Sequence, residues 1–515
     1  MKVHLMYRDK DFEPRTAWTP RQEVVATDLG LGILFNAMAR DDRYLYGVVS
    51  SAVFDQLGST EEISYRQAVL RDCLQNPDAV REIYSITERT FEERRQHLWG
   101  ISSQFLSSVM FSSVRMLEML VRMLRELRRV ADTYESKFQS EGLCGLMATL
   151  QRELTDGYFE EVESHLKQLA FHDGMLVSAE IGRGCIATNY TLHSMLSDLK
   201  TKIKWHFAPK IAIHPRDDAG AHDLERRKDR AINLAADAVA QSTEHILSFF
   251  TALRAETAFY VGCVNLYETL REKGEPICFP VPLDMTEREH EFEGLYDVCL
   301  SLSIPSRTVG NSATAGKRDL VVITGANQGG KSTFLRSIGQ AQLMMQCGMF
   351  VGAEEFRANV ASGVFTHYKR EEDAAMKHGK LDEELLRMSE LIGEVKTHAL
   401  ILFNESFAST NEREGSEIAR QIVSALLDEG VKVFFVTHMY ALSGGFREQR
   451  AKDTLFLRAG RQPGGSRNFR LVEGVPLPTS YGEDLYREVF GKNLAGGPAQ
   501  GRLGGEDDQS RSSVR

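Results

Sequence analysis

The chain has 515 residues, of which 42% are hydrophobic and 26% are charged. At about 100–200 residues per domain, this length predicts about two to four domains and excludes a small scaffold held by disulfides. Lysine and arginine number 62 against 72 aspartate and glutamate residues, which gives a formal charge of −10. This balance excludes a chain that coats nucleic acid through its whole surface, so any DNA contact must be a local basic patch.

The seven cysteines contain no C-x-x-C pair and no spacing typical of metal ligands. We therefore expect buried thiols in a reducing compartment. The N-terminus, Met1 to Asp9, lacks the apolar segment of a secretory signal, and the longest uncharged stretches are interrupted by polar residues and glycine. We predict a cytoplasmic protein that is neither secreted nor membrane-spanning.

Residues 30–273 have a helical pattern, and we predict an all-α domain there, preceded by an N-terminal extension over 1–29. Spacings of four and three residues line one helix face with Leu106, Met110, Ser113, Leu117, Leu120, Leu124 and Leu127. A second long helix is predicted from about Asp223 to Lys273, and two such helices suit an antiparallel arm. Two alternatives stay open, an extended lever and an ordinary bundle packed on itself.

Residues 274–318 are rich in proline and turn residues, and we predict a connector there. Three apolar, β-branched runs then alternate with helical stretches, at residues 320–323, 399–403 and 431–436. This alternation predicts a mainly parallel sheet covered on both faces, in an α/β P-loop domain over 319–492. Residues 493–515 are rich in glycine, serine and charge, and are predicted to form a disordered tail.

A motif of the P-loop form, G-x-x-x-x-G-K-[ST], follows the first of these strands and opens a helix. Its glycines let successive backbone N–H groups and the helix N-terminus point at phosphate. Lys331 adds a positive charge at the β- and γ-phosphates, and Ser332 offers its hydroxyl to Mg²⁺. The predicted ATP-binding residues are Gly325, Ala326, Asn327, Gln328, Gly329, Gly330, Lys331, Ser332 and Thr333.

The next two strands end in polar residues that complete this chemistry. Asn404 and Glu405 follow one strand, where the Walker B carboxylates of P-loop ATPases normally lie beside the phosphates. Glu405 is the predicted general base for an attacking water. Asn404 is a predicted metal residue whose neutral amide oxygen holds Mg²⁺ less firmly than an aspartate would. His438 ends the other strand, where it can hydrogen-bond the γ-phosphate or the water.

Together these residues resemble the MutS family of DNA mismatch-repair ATPases, a branch of the ABC ATPase superfamily. Gly325 to Thr333 resembles the family's G-P-N-M-G-G-K-S-T, Asn404 to Gly415 its D-E-x-G-R-G-T-S-T-x-D-G, and Thr437-His438 its A-T-H. Ser480-Tyr481-Gly482 is similar to a short motif near the family's C-terminus, and Ile63 to Leu74 to the start of its helical core. The resemblance implies that the helical half is a core with lever arms that lead toward a DNA clamp.

The departures from the family pattern concern metal binding and the second subunit. Asn404 replaces the Walker B aspartate, and residues 407–411 replace a stretch whose serine reaches the nucleotide of the opposite subunit in the family. The resemblance thus implies trans contacts through Ser409, Thr410 or Asn411. Classical members also carry N-terminal α/β domains, one of which reads the mismatch, whereas here the helical core begins almost at once. We therefore expect a truncated, MutS-related ATPase without that mismatch-reading domain.

Our primary hypothesis is a homodimeric, DNA-associated ATPase that uses ATP and Mg²⁺ and clamps on mismatched or otherwise irregular DNA in repair. Candidate DNA-backbone contacts are the basic faces at Arg122 to Arg129 and Arg226 to Arg230, of which the first ranks higher because Glu225 and Asp229 dilute the second. The alternative is a nucleotide-gated scaffold with weak hydrolysis, acting on branched DNA, RNA or protein partners. No aromatic residue between Ser306 and Lys317 suits stacking on adenine, so the base contacts are unassigned.

Overall fold

A computed structural model describes residues 1–98, 106–171, 175–193, 212–326, 328–370, 379–461 and 467–477. The chain is multidomain, with a largely helical N-terminal half followed by two β-sheets with helices. Asn327, the Ser480 to Gly482 motif and the predicted tail over 493–515 lie outside the described residues. No helix in the described part is both long and apolar enough to cross a membrane.

The helices of the N-terminal half begin at recognisable caps. Thr19 and Gln22 form a capping box at the start of the first helix, which has Pro20 at its first position. Asp42 and Ser59 cap the third and fourth helices through their side-chain oxygens. The helices are α1 (Pro20–Leu29), α2 (Leu31–Ala39), α3 (Arg43–Val53), α4 (Thr60–Gln75), α5 (Pro77–Leu98), α6 (Leu106–Tyr134), α7 (Glu141–Glu153), α8 (Asp156–Leu169) and α9 (Asp218–Glu272).

The predicted leucine seam is confirmed from Met110 onward, since Met110, Leu117, Leu120, Leu124 and Leu127 on α6 are all buried. The side chain of Leu106, the first residue of the predicted seam, lies outside the described part. The predicted antiparallel pairing of the two long helices is wrong. The ion pairs Arg89–Glu126 and Arg122–Glu93 show that α5 runs antiparallel to α6. Arg81 pairs with Glu268, and Arg254 lies over the ring of Phe91, so α5 is also antiparallel to α9. Because α5 lies against both long helices, α6 and α9 run in the same direction.

Burial along α9 changes from one end to the other. Residues 218–230 are mostly exposed, whereas residues 255–266 are buried without interruption. With 55 residues at about 1.5 Å each, α9 is roughly 80 Å long. The C-terminal part of α9 therefore lies in the hydrophobic core, and its N-terminal part lies largely at the surface.

The prediction of an all-α segment over 30–273 is wrong at one place. An antiparallel hairpin of β1 (Leu176–Ile181) and β2 (Ala187–His193) lies between α8 and α9. A turn with Gly184 and Cys185 in the left-handed region connects its strands. Residues 189–193 of β2 alternate between exposed and half-buried positions, as expected for a strand with one face against the protein.

Residues 1–29, predicted as an extension, pack into the core. Val3, Leu5 and Phe12 are buried, and α1 lies against the C-terminal half of the chain, which carries the two larger sheets. The carboxylate of Glu256 on α9 accepts backbone hydrogen bonds from Leu5 at 2.5 Å and Phe12 at 2.7 Å, as well as one from Met6. A buried acceptor from the long helix thus holds the N-terminal segment in place.

The region predicted as a connector, 274–318, is folded into a four-stranded sheet. Its strands are β3 (Val281–Leu283), β4 (His290–Leu295) and β5 (Asn311–Thr314), and they assemble around β7 (Glu355–Asn359) from further along the chain. The short helix α10 (Val298–Ser303) lies between β4 and β5 and is capped by Asp297. The pairing of β3 and β4 with β7 makes the region 274–318 part of the C-terminal half.

The predicted parallel sheet is confirmed and has six strands in the order β12-β11-β6-β10-β9-β8. All neighbouring strands are parallel except β11 and β12. The strands are β6 (Leu320–Gly325), β8 (Val364–Tyr368), β9 (Leu400–Asn404), β10 (Lys432–Val436), β11 (Thr454–Arg461) and β12 (Arg467–Glu473).

Both faces of this sheet are buried, as a run of continuously apolar strands requires. Val321 and Ile323 face α11 (Lys331–Gln346) in one core cluster. Leu320 and Val322 belong to a second cluster on the other face. That second face is covered by α12 (Lys380–Ile392), α13 (Glu412–Asp428) and α14 (Tyr440–Arg450).

Candidate functional site

The P-loop lies where β6 ends and α11 begins. Gly325 has φ = 109° and Gly330 has φ = 87°, conformations that side chains disfavour. A Cβ at Gly325 would lie 2.8 Å from the backbone nitrogen of Ala459, so glycine is also required there by space. These two glycines turn the chain into the N-terminus of a 16-residue helix, which is a favourable place for phosphate.

Lys331 folds back over this loop. Its Nζ donates to the carbonyl oxygens of Gly325 and Ala326, each at 3.0 Å. The side chain is 6% exposed, and burial lowers its pKa although Glu405 nearby raises it. The ammonium thus lies above the loop with protein carbonyls as acceptors, and phosphate oxygens of a nucleotide would offer it stronger, charged acceptors.

Ser332 and Asn404 meet across the edge of the sheet. The Ser332 hydroxyl donates to Asn404 Oδ1 at 2.9 Å. The parallel register of β6, β10 and β9 brings the ends of these strands to one edge, so the contact follows from the topology. Within the described residues, no group of three histidine, cysteine, aspartate or glutamate side chains could hold a metal ion. Ser332 and Asn404 would offer a metal two neutral oxygens at this edge.

Glu405 and His438 lie next to each other at the same edge. His438 Nδ1 is 3.8 Å from Glu405 Oε1. Contact with His438, helped by the charges of Lys331 and Lys369, lowers the pKa of Glu405. The carboxylate is therefore ionised at neutral pH, as an acceptor for a water proton must be.

A cavity of about 680 Å³ opens beside the P-loop, within the size range of small-ligand sites. Sequence reasoning missed most of its wall. Phe469 on β12 lies against Gly330, and Tyr296, Arg307 and Thr308 come from the region between β4 and β5. No local motif marks these residues, because β12 reaches the loop only through the sheet order. Phe469 thus adds an aromatic ring to the wall of the cavity.

The end of α9 holds one wall of this cavity. The Glu275 carboxylate accepts hydrogen bonds from Ser301 Oγ at 2.7 Å and from the Thr308 backbone N–H at 2.9 Å. Lys273 donates to the carbonyl oxygens of Ser301 and Ile304 at the end of α10. The long helix and the cavity wall are thus directly linked.

Two family models match most of the chain. Residues 58–273 match the MutS2 N-terminal domain, and residues 321–485 match MutS domain V, which includes the P-loop, Asn404, Glu405 and His438. This chain belongs to the MutS family.

Individual MutS-family relatives align with about a third of the chain. Endonuclease MutS2 of Thermus thermophilus is 32% identical over 177 residues, which cover 34% of this chain and 23% of the relative. DNA mismatch repair protein MutS of Thermotoga neapolitana is 31% identical over 187 residues, 35% of this chain and 23% of the relative. DNA mismatch repair protein MutS of Thermus aquaticus is 30% identical over 167 residues, which cover 32% of this chain and 20% of the relative. The alignments thus cover less than a quarter of each relative.

The residues that the MutS resemblance suggested for trans contacts lie at the start of α13. Asn411 caps this helix, since its Oδ1 accepts from the Glu414 backbone N–H at 3.0 Å. Thr410 Oγ1 donates to the Glu414 carboxylate at 2.6 Å. Ser409 is half-buried beside them. Two of the three candidates are therefore engaged within their own chain, and the trans contact stays a prediction.

The two basic faces proposed for DNA are largely paired with carboxylates. Arg122 pairs with Glu93, Arg125 with Glu163 at 2.7 Å, and Arg128 with Asp132 at 2.9 Å. On α9, Arg226 and Arg227 both pair with Asp223, and Lys228 pairs with Glu225. These intramolecular partners lower the net positive charge that either face presents to a phosphate backbone.

Proposed function

We propose that this MutS-family chain is an ATPase that couples nucleotide state to DNA binding in repair. The observation that carries the proposal is the 2.9 Å hydrogen bond between Ser332 and Asn404, which joins the P-loop to the end of β9 with Glu405 as the next residue. A phosphate-binding loop, a metal position and a carboxylate are thereby grouped at one edge of the sheet.

In this proposal each residue has a separate task. The backbone N–H groups of Gly325 to Thr333 and the Lys331 ammonium bind the phosphates, while Ser332 and Asn404 hold Mg²⁺, which neutralises charge on the phosphates when bound. Glu405 accepts a proton from the attacking water as the bond to ADP breaks. His438 hydrogen-bonds the γ-phosphate and so distinguishes ATP from ADP.

The proposal includes a homodimer in the cytoplasm that clamps on mismatched or irregular DNA. The similarity to an endonuclease MutS2 and to DNA mismatch repair proteins supports DNA as the partner. The contacts of Lys273 and Glu275 support a path from the nucleotide cavity into α9, which would act as a lever. A loop of the partner subunit around Ser409 to Asn411 would complete each site.

One observation favours the alternative, a nucleotide-gated scaffold with weak hydrolysis. Asn404 offers Mg²⁺ a neutral oxygen where an aspartate would offer a charge. Such a scaffold would bind branched DNA, RNA or protein partners under nucleotide control without rapid turnover.

Turnover and DNA binding test the two functions separately. ATP turnover is measured for the wild type, Asn404→Asp and Glu405→Gln. A wild type clearly faster than Glu405→Gln supports the ATPase, whereas equal rates support the scaffold.

Mobility-shift titrations with homoduplex, mismatched and branched DNA, at two salt concentrations and with or without ATP, test the partner. Phosphate-driven binding must weaken steeply with salt, and no shift in any nucleotide state contradicts a DNA function.

A further inference from the structure

The turn that follows β9 has an unfavourable backbone. Glu405 has φ = 53° and Phe407 has φ = 62°, both in the left-handed region that side chains other than those of glycine and asparagine rarely adopt. Such conformations persist only where the surrounding structure holds them, and they concentrate at functional sites. The contacts of this turn therefore show what keeps Glu405 in place.

Ser406 and Phe407 are fully buried, and their polar partners come from β8 and α12. The Ser406 hydroxyl oxygen lies 2.6 Å from the His367 carbonyl oxygen and 2.8 Å from His367 Nδ1. The Phe407 backbone N–H donates to Glu384 Oε1 at 2.6 Å. Each residue of the turn after Glu405 is thus tied to a neighbouring element.

The ring of His367 packs directly against this turn. It stacks on the Phe407 ring with a centroid distance of 5.4 Å and an angle of 18°. Its Nε2 lies 3.3 Å from the Glu384 carbonyl oxygen. His367 is 2% exposed, so the ring forms part of a closed interior that joins β8, α12 and the turn.

We propose that His367 and Phe407 are positioning residues that set the direction of the Glu405 carboxylate. The proposal rests on the proposed function, in which Glu405 activates water. The Glu405 backbone N–H donates to the Val436 carbonyl oxygen at 2.9 Å, but its carboxylate meets His438 only at 3.8 Å, too far for a hydrogen bond. The direction of the side chain therefore depends on the backbone that carries it.

Phe407 is a departure from the family pattern. The family motif quoted above, D-E-x-G, has glycine at the position of Phe407, and glycine adopts a positive φ without strain. A phenylalanine at φ = 62° needs packing to hold it there, and the stacked His367 ring supplies that packing. In this chain, the contact between the two aromatic rings holds a backbone conformation that glycine would adopt without such packing.

The test uses the full chain with His367→Ala and the milder Ser406→Ala, which removes one hydroxyl group. The matched control is His290→Ala, because His290 is also a buried ring, 1% exposed, packed among Phe292, Phe356 and Phe434. Thermal unfolding, ADP affinity by calorimetry, and kcat and KM for ATP are measured for each. Wild type and Glu405→Gln are compared first, so that a failure of the ATPase function itself is recognised separately.

We expect His367→Ala and Ser406→Ala to lower kcat by about 10- to 100-fold, because a displacement near 1 Å has effects of this size. ADP affinity and KM should stay near the wild-type values, since the P-loop is unchanged. His290→Ala should lose stability comparably to His367→Ala but keep kcat. The proposal is overturned if both test variants keep the wild-type kcat, if ADP affinity falls together with kcat, or if His290→Ala lowers kcat equally.

Discussion

The Glu275 carboxylate accepts two hydrogen bonds from Thr308, one from its backbone N–H and one from its hydroxyl, both at 2.9 Å. Thr308 lines the cavity beside the P-loop, and Glu275 follows the last turn of α9. These hydrogen bonds therefore connect the cavity wall directly to the buried end of α9.

Glu275→Ala should uncouple α9 from the nucleotide. In the wild type, we expect ATP to change hydrogen exchange within residues 218–272, and in the variant this change should be lost while the P-loop stays protected. Glu272→Ala, an exposed carboxylate three residues away, is the control. An α9 response that persists in Glu275→Ala would show that the coupling takes another route.

Lys331→Ala should weaken ATP binding by roughly 10- to 100-fold, because hydrogen bonds to charged groups contribute about 1.5–3 kcal/mol. Calorimetric titration with ATP measures the change. Lys317→Ala, an exposed lysine outside the cavity, should leave the affinity unchanged. Equal affinity in wild type and Lys331→Ala would exclude the P-loop as the nucleotide site.

Asn404→Asp should lower the Mg²⁺ concentration that ATP turnover requires. A carboxylate replaces the neutral oxygen that accepts from Ser332, so the Mg²⁺ concentration for half-maximal turnover should fall by roughly 10-fold. A Mg²⁺ titration of ATP turnover measures this value. If the half-maximal concentration is unchanged, Asn404 is not a metal residue.

Glu256 should make stability depend on pH near neutrality. Burial raises the pKa of its carboxyl to about 7, above an ordinary value near 4.5, although three backbone N–H groups favour the charged form. Because the folded-state pKa is the higher one, the stability from the protonated form is complete below about pH 4.5 and is lost as the pH rises through 7. Relative to Glu256→Gln, the wild type should lose up to about 3 kcal/mol of unfolding free energy over this window.

Denaturant unfolding of both chains across the pH range measures this difference. Glu268 on the same helix supplies a contrasting control, because hydrogen bonds from Arg81 and Arg40 lower its pKa. Its contribution should be present at neutral pH and be lost as the pH falls through its folded-state pKa. A difference between wild type and Glu256→Gln that is constant with pH would contradict the raised pKa.

Glu93→Gln should strengthen DNA binding if the face at Arg122 to Arg129 contacts the backbone. The substitution releases Arg122 from its ion pair, so affinity should rise at low salt. The slope of log affinity against log salt should steepen by about one, the value for one added phosphate contact. Glu417→Gln, which releases Arg420 on the ATPase half, is the control. Unchanged binding by Glu93→Gln would remove this face from the candidates.

Reasoning from local patterns predicted which candidate residues lie together at one sheet edge, but not which residues surround them. Lys331, Asn404, Glu405 and His438 each follow an apolar strand, and parallel strands bring such positions to one edge, where the structure has them. Phe469, Thr308 and Glu275 could not be recognised in this way. They are neighbours of the P-loop because of sheet order and helix packing between segments far apart in the chain.

One expectation failed because of long-range packing. The long helices α6 and α9 were expected to be antiparallel, but packing against α5 makes them parallel. The arginine faces stay candidates for DNA contact, but carboxylates from other helices pair with Arg122 and Arg125. Helix pairing and surface charge pairing depend on which elements become neighbours.

The residue order alone thus predicted a P-loop, a sheet with two buried faces and a helical N-terminal half, because periodicity, glycine placement and strand ends act over a few residues. Long-range packing decided the direction of the long helices, the place of the first 29 residues in the core, the walls of the cavity and the contacts of His367 with the turn after Glu405. These features arise where buried side chains from distant segments must fill one interior and satisfy one another's polar groups, and no short stretch of chain carries that information.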